Sequence, residues 1–136
     1  MIESKNPYTG ESIEKFEELS KEQIDEVLDN AQQRYKLWRK TTMSERAEFM
    51  NNAAEELKAN KEEYARDITL EMGKPISQSI SEIEKCAWVC EYYAKHAEEH
   101  LADRLLDTDA QNSYVSYEPI GVVLAVMPWN YPFGQV

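Results

Sequence analysis

The charges of this 136-residue chain stop before its end. All 15 basic residues and 25 of the 26 acidic ones lie within residues 1–112, and the remainder carries a single ionisable acid, Glu118. An uncharged, β-rich stretch cannot stand in water without offering unpaired backbone and apolar surface to other chains. The run Val122-Val123-Leu124-Ala125-Val126 is nearly continuous in branched and aliphatic side chains, the pattern of a strand buried on both faces of a parallel sheet. Parallel strands need crossover partners, and nothing nearby in the sequence supplies one. We therefore expect these residues to belong to a larger α/β fold whose remaining strands lie beyond Val136.

Composition narrows the class. A formal charge of −11 repels nucleic-acid phosphates and anionic lipid surfaces, so neither is expected as a partner. Apolar residues make up 42% of the chain and aromatics 10%, enough for a buried core and unlike a disordered chain. The longest apolar stretch, residues 120–127, falls far short of the roughly 20 residues of a membrane-spanning helix. The N-terminus has no apolar core of a secretory signal. With Cys86 and Cys90 as the sole cysteines, a disulfide framework is excluded and a reducing, cytoplasmic location is expected.

Local signals organise residues 1–112 as a hairpin followed by helices. Asn6-Pro7 and Thr9-Gly10 are turn formers ahead of the β-compatible run at 12–16. Ser20 with Gln23, Thr42 with Glu45, and Asn60 with Glu63 are spaced as capping boxes for three helices. The first carries Ile24, Val27, Leu28, Ala31, Tyr35 and Trp38 on one face, the second Ala47, Met50, Ala54 and Leu57, the third Tyr64, Ala65, Ile68 and Met72. Gly73 stands where a helix ends in a left-handed residue, and Pro75 where the first turn of the next helix begins. That longest helix is expected over about 75–100, with the stripe Ile76, Ile80, Ile83, Ala87, Cys90, Ala94, Ala97 and Leu101. Trp38, Trp88, Met50 and Met72 are expected to face the core. Opposite them lies a solvated charged face, with Glu91–Lys95 spaced as an i, i+4 pair. Residues 102–112 read as a loop and 113–118 as a strand, and Pro119-Ile120-Gly121 is a break.

Two motifs attract chemical readings that the bland alternative outweighs. His96-Ala97-Glu98-Glu99-His100 matches the H-x-x-E-H pattern of inverted zinc peptidases, and two His at i, i+4 share a helix face. No residue is placed to supply a third ligand, so an exposed helix end is preferred and no metal is expected. Cys86 and Cys90 lie on an apolar stripe, where cysteine packs as a small hydrophobe. The four glycines at 10, 73, 121 and 134 fit no phosphate-cradling motif.

The segment Met127-Pro128-Trp129-Asn130-Tyr131-Pro132-Phe133 is different. It follows the expected strand, where α/β folds place ligands. Two prolines stiffen it, and between them Asn130 offers a neutral carboxamide with two N–H donors. Such an amide can stabilise an oxyanion. It can equally cap a proline-bracketed turn, and spacing alone does not choose.

Five ordered motifs choose. Asn6-Pro7-Tyr8-Thr9-Gly10-Glu11, Glu45-Arg46-Ala47, Glu71-Met72-Gly73-Lys74-Pro75, Glu118-Pro119-Ile120-Gly121-Val122-Val123 and Pro128-Trp129-Asn130-Tyr131-Pro132 resemble, over essentially the whole chain, the N-terminal portion of an NAD(P)-dependent aldehyde dehydrogenase. Within that family the segments 71–77 and 127–136 are most similar to succinate-semialdehyde dehydrogenases. The resemblance implies an α/β architecture, mostly α in this stretch: a hairpin, about four helices, then the first strand or strands of a Rossmann-like sheet. Residues 1–112 would form the hairpin and helices of the nucleotide-binding domain, 113–119 a strand toward an oligomerisation sheet, and 120–136 the first buried strand with its Pro-Trp-Asn loop. It implies oxidation of an aldehyde to a carboxylic acid through a cysteine thiohemiacetal, with NAD or NADP as cofactor and a homo-oligomeric enzyme.

Residue by residue, Asn130 matches the oxyanion-stabilising asparagine. Met127, Pro128 and Trp129 match the cofactor-facing stretch, and Tyr131 matches an aromatic of the aldehyde channel. The catalytic cysteine and the general-base glutamate lie downstream in the family, neither Cys86 nor Cys90 has the nucleophile's context, and residues 1–136 alone should be inert. The rival reading is a non-catalytic helical interaction module adding its exposed strand to a partner's sheet edge.

Overall fold

The computed structural model describes residues 1–135. Strands β1 (Ile2–Lys5) and β2 (Ser12–Phe16) form an antiparallel hairpin in which Ile2 pairs with Phe16 and Ser4 with Glu14, with an irregularity between Ser4 and Lys5. The turn closes on Asn6, whose side-chain oxygen accepts from the backbone N–H of Tyr8 at 2.9 Å and of Thr9 at 3.3 Å. Gly10 completes it at φ 75°.

Four helices follow: α1 (Lys21–Trp38), α2 (Met43–Ala59), α3 (Lys61–Met72) and α4 (Ile76–His100). The capping boxes of Ser20 with Gln23 and Thr42 with Glu45 are both closed. The one expected at Asn60 is not. With a single residue between α2 and α3, Asn60 ends one helix as it begins the next, and its φ of −110° and ψ of 19° are not the extended backbone that aims a cap. Its side chain instead donates to Glu56 at 2.7 Å. Gly73 ends α3 at φ 76°, and a Cβ there would meet Pro7 Cγ at 3.1 Å, so the hairpin turn also presses on this position. Pro75 stands one place earlier than expected, at the N-cap of α4.

The core lies where α2 and α3 pack on α4. Ala54, Ala65, Ile68, Ile83, Cys86 and Ala87 are buried, and the three alanines let the helices approach closely. Thr69 and Ser79 join α3 to α4 by a hydroxyl contact of 2.9 Å. At the rim Lys61 of α3 meets Glu84 of α4 at 2.8 Å, and Lys58 of α2 meets Glu91. Glu91 is thereby taken from the i, i+4 partnership with Lys95 that spacing favours. Trp88 points outward and is 60% exposed. One residue past Ala87, it lies about 100° around the helix from the buried stripe, and it stacks on Tyr92 instead.

The run expected as a buried strand has no ladder among the described residues, and the partner strands expected for it are not among them. Residues 122–126 are unpaired, and Val123, Leu124 and Val126 lie largely open. A strand is defined by its ladder, and among the described residues no neighbour supplies one. The loop expected at 102–112 contains β3 (Arg104–Leu105), which pairs with β4 (Tyr114–Val115), the sole part of 113–118 that forms a strand. No residue of α1 is buried, and Ile24, Val27 and Leu28 of its apolar face are exposed. The Tyr35 hydroxyl of α1 donates to the Pro119 carbonyl at 2.7 Å, tying that helix to the Pro-Ile-Gly break, where Gly121 adopts φ 131°.

Candidate active-site loop

The loop at 127–133 is folded by its own prolines and then held against α3 and α4. The Tyr131 N–H donates to the Pro128 carbonyl at 3.3 Å, closing a turn around Trp129 and Asn130. The chain continues into a 3-10 turn, Phe133–Gln135. The Phe133 ring sits 5.4 Å from that of Tyr64, joining the cluster around Ala65, Ile68 and Ile83. The Tyr131 ring lies across Gly134, where a Cβ would fall 1.7 Å from Cε1, so this backbone accepts no side chain without displacing the ring.

Facing α4, the loop meets a cationic cluster. Lys74, leaving the left-handed Gly73 turn, forms an ion pair with Glu82 and donates to the Asn130 backbone carbonyl at 3.2 Å. Its ammonium lies 5.5 Å from the centre of the Tyr131 ring, and that of Lys85 lies 5.9 Å away, both within cation–π range. Tyr131, Pro132 and Phe133 are half-buried, whereas Pro128, Trp129 and Asn130 are exposed and Met127 is intermediate. The structure thus brings Asn130 and Tyr131 together with Lys74, Lys85 and Glu82. It presents Trp129 and the Asn130 side chain on the open side.

Sequence reasoning passed over Lys74, Glu82 and Gly134. Glu82 had a visible signal, because an acidic residue falls among Ser79, Ile83 and Cys86 on the buried side of α4. Lys74 stood inside a quoted motif without a role.

The other candidates stay apart from chemistry. Burial first, and the charge of Glu82 second, push the Cys86 thiol up from its ordinary value; burial does the same for Cys90. Both disfavour the reactive thiolate. His96 and His100 stack on each other at 6.1 Å beside Tyr92. Among the described residues no three His, Cys, Asp or Glu side chains are grouped to hold a metal. No helix in the described residues is long and apolar enough to cross a membrane.

Comparison with known proteins agrees with this arrangement throughout its length. A probable succinate-semialdehyde dehydrogenase [NADP(+)] of Synechocystis sp. is 45% identical over 131 residues, covering 96% of this chain and 29% of its own length. The crystal structure of succinic semialdehyde dehydrogenase from Streptococcus pyogenes with NADP+ superimposes with a TM-score of 0.92 at 34% identity, over 98% of this chain and 30% of that one. Betaine aldehyde dehydrogenase from Staphylococcus aureus, in complex with NAD+, superimposes at 0.88 and 28% identity, over 98% and 27%. The chain spans less than a third of the length of these relatives. The sequence pattern of the aldehyde dehydrogenase family matches residues 1–136, and with the hairpin, four helices and proline-bracketed loop in place, the chain belongs to that family.

Proposed function

We propose that residues 1–136 form the N-terminal portion of an enzyme that oxidises succinate semialdehyde to the dicarboxylic acid, with Asn130 stabilising the oxyanion. The observation that carries this reading is the division of the loop into two sides. Tyr131 and Phe133 anchor it on α3 and α4, while the Asn130 carboxamide is left on the exposed side. An amide presented in this way can supply hydrogen bonds where negative charge develops during attack on an aldehyde carbonyl. In the proposed reaction a cysteine outside these residues attacks that carbonyl and forms a thiohemiacetal, and Asn130 holds the oxygen as its charge grows.

Half-buried Met127 with exposed Pro128 and Trp129 presents an open apolar surface that fits one face of a nicotinamide and its ribose. NAD or NADP, when bound there, supplies the hydride acceptor. The residues offer no feature that selects between the two cofactors. Tyr131 lines the aldehyde side. Lys85 adds a positive charge there: Lys58, Lys61 and Lys74 on the neighbouring faces are paired with Glu91, Glu84 and Glu82, and Lys85 has no acidic partner among the described residues. An unpaired cation beside the aldehyde aromatic suits a substrate whose far end is a carboxylate. The family match leaves the helical interaction module as the weaker reading, and a cytoplasmic, homo-oligomeric enzyme follows from the same proposal.

The test is steady-state turnover by the full-length protein that carries these residues, with succinate semialdehyde and each cofactor. Asn130→Ala should lower kcat by about 100- to 1000-fold, the usual loss for one oxyanion donor. Undiminished kcat in a folded Asn130→Ala enzyme would remove the assignment.

A further inference from the structure

We propose that Lys74 is a positioning residue for the Asn130 carboxamide, held in place by the buried carboxylate of Glu82. The proposal rests on the oxyanion reading of Asn130. The Glu82 side chain is 2% exposed and that of Lys74 12%. A carboxylate so far from water persists where a partner compensates its charge. Here Lys74 does so for one oxygen, while Oε1 is buried without a hydrogen-bond partner among the described residues. The attraction of this carboxylate is therefore spent on fixing one ammonium.

That ammonium has donors to spare, since a lysine carries three. One goes to Glu82 and one to the Asn130 carbonyl at 3.2 Å, across 56 residues of sequence, and its charge lies over the Tyr131 ring. A single group thus clamps two consecutive residues of the loop, one by its backbone and the next by its ring. The clamp is mounted on constrained backbone, between the left-handed Gly73 that ends α3 and Pro75 at φ −54° that begins α4. Without it, the stretch around Asn130 keeps the long 3.3 Å turn bond of Tyr131, the exposed Lys85 ammonium 5.9 Å from the Tyr131 ring and the more distant anchor of Phe133 on Tyr64, none of which holds the Asn130 backbone itself. A carboxamide on so loosened a loop no longer meets the oxyanion in register.

A purely architectural ion pair joining the α3–α4 turn to α4 would account for the same burial, so the test must separate the two roles. In the full-length enzyme, kcat and KM are measured for Lys74→Met, Lys74→Arg, Glu82→Gln and Asn130→Ala, and for the first and third combined with Asn130→Ala. We expect Lys74→Met to lower kcat about 30-fold with KM for the aldehyde changed less than about threefold, as for a reacting group displaced by a fraction of an ångström. In the Asn130→Ala background the same substitution should lower kcat less than about threefold, because residues acting through one another are not additive. Lys74→Arg, which keeps charge and donors, should recover most of the loss.

Equal fold-losses in both backgrounds, or no effect of Lys74→Met on kcat, would overturn the proposal. Should Lys74→Met fail to fold, Glu82→Gln carries the cycle: it keeps the shape and removes the charge, and an additive result there overturns the proposal equally. An intact Asn130→Ala enzyme with full kcat overturns the oxyanion reading together with this one. A large Asn130→Ala effect with additive Lys74 and Glu82 effects overturns this one alone.

Discussion

Lys85 and Lys74 both approach one tyrosine ring, yet their surroundings assign them different work. Lys74 is nearly buried and committed to Glu82 and a backbone carbonyl, whereas Lys85 is exposed and its ammonium lies 5.9 Å from the ring centre. Without an acidic partner among the described residues, that exposed ammonium is free to meet a charged ligand. For the full-length enzyme we expect Lys85→Met to raise KM for succinate semialdehyde about tenfold, the change that about 1.4 kcal/mol of lost attraction produces. KM for an uncharged aldehyde of the same length should be unaltered. Equal effects on both substrates would place Lys85 outside carboxylate recognition. Gly134 shows the same economy of space from the opposite direction, since the Tyr131 ring occupies the place its Cβ would need. Neither the ring's position nor the reach of Lys74 to Asn130 could be seen from the linear order of residues, although Asn130 and Tyr131 themselves stood out by their bracketing prolines.

At the scale of the element, the helix starts were legible because capping is local. Thr42 and Glu45 exchange hydrogen bonds within three residues, the Thr42 N–H donating to the Glu45 carboxylate at 2.7 Å and the Glu45 N–H to the Thr42 hydroxyl at 3.1 Å. The backbone N–H of Thr42 and then its hydroxyl hold the Glu45 carboxyl below its ordinary value. A depressed carboxyl contributes stability that is fully present above the ordinary glutamate value of about 4.3 and fades as pH falls through the lowered one. We therefore expect the first amides of α2 to lose hydrogen-exchange protection as the pH is lowered through that interval. In Glu45→Gln, whose amide oxygen still accepts from Thr42, the protection should change little with pH. Protection that falls equally in both proteins would locate the sensitive group elsewhere. Asn60 marks the limit of such local reading: its spacing to Glu63 is that of a cap, but the preceding helix had already set its backbone.

For the whole molecule, burial is concentrated on one side of α4. Among the described residues the buried apolar ones all come from α2, α3 and α4, while the faces of α1 at Ile24, Val27 and Leu28 and of the run at 122–126 stay open. Apolar surface of that extent promotes association. Residues 1–136 prepared alone should bind a hydrophobic dye and self-associate with rising concentration. They should show no turnover of succinate semialdehyde with either cofactor, the buried and proton-retaining Cys86 offering no nucleophile. A monomeric, dye-silent preparation would mean that these faces fold onto one another in solution; turnover would show that the chain holds a nucleophile of its own.

The hairpin turn, the helix limits and the Gly73 break were written into the sequence, because each depends on residues within a few places of one another, where backbone sterics and capping bonds decide. The family motifs were equally visible as strings. Tertiary structure alone decided that Lys74 would reach Asn130 and that Phe133 would pack on Tyr64. Those outcomes depend on which distant surfaces meet, and spacing along the chain does not fix that.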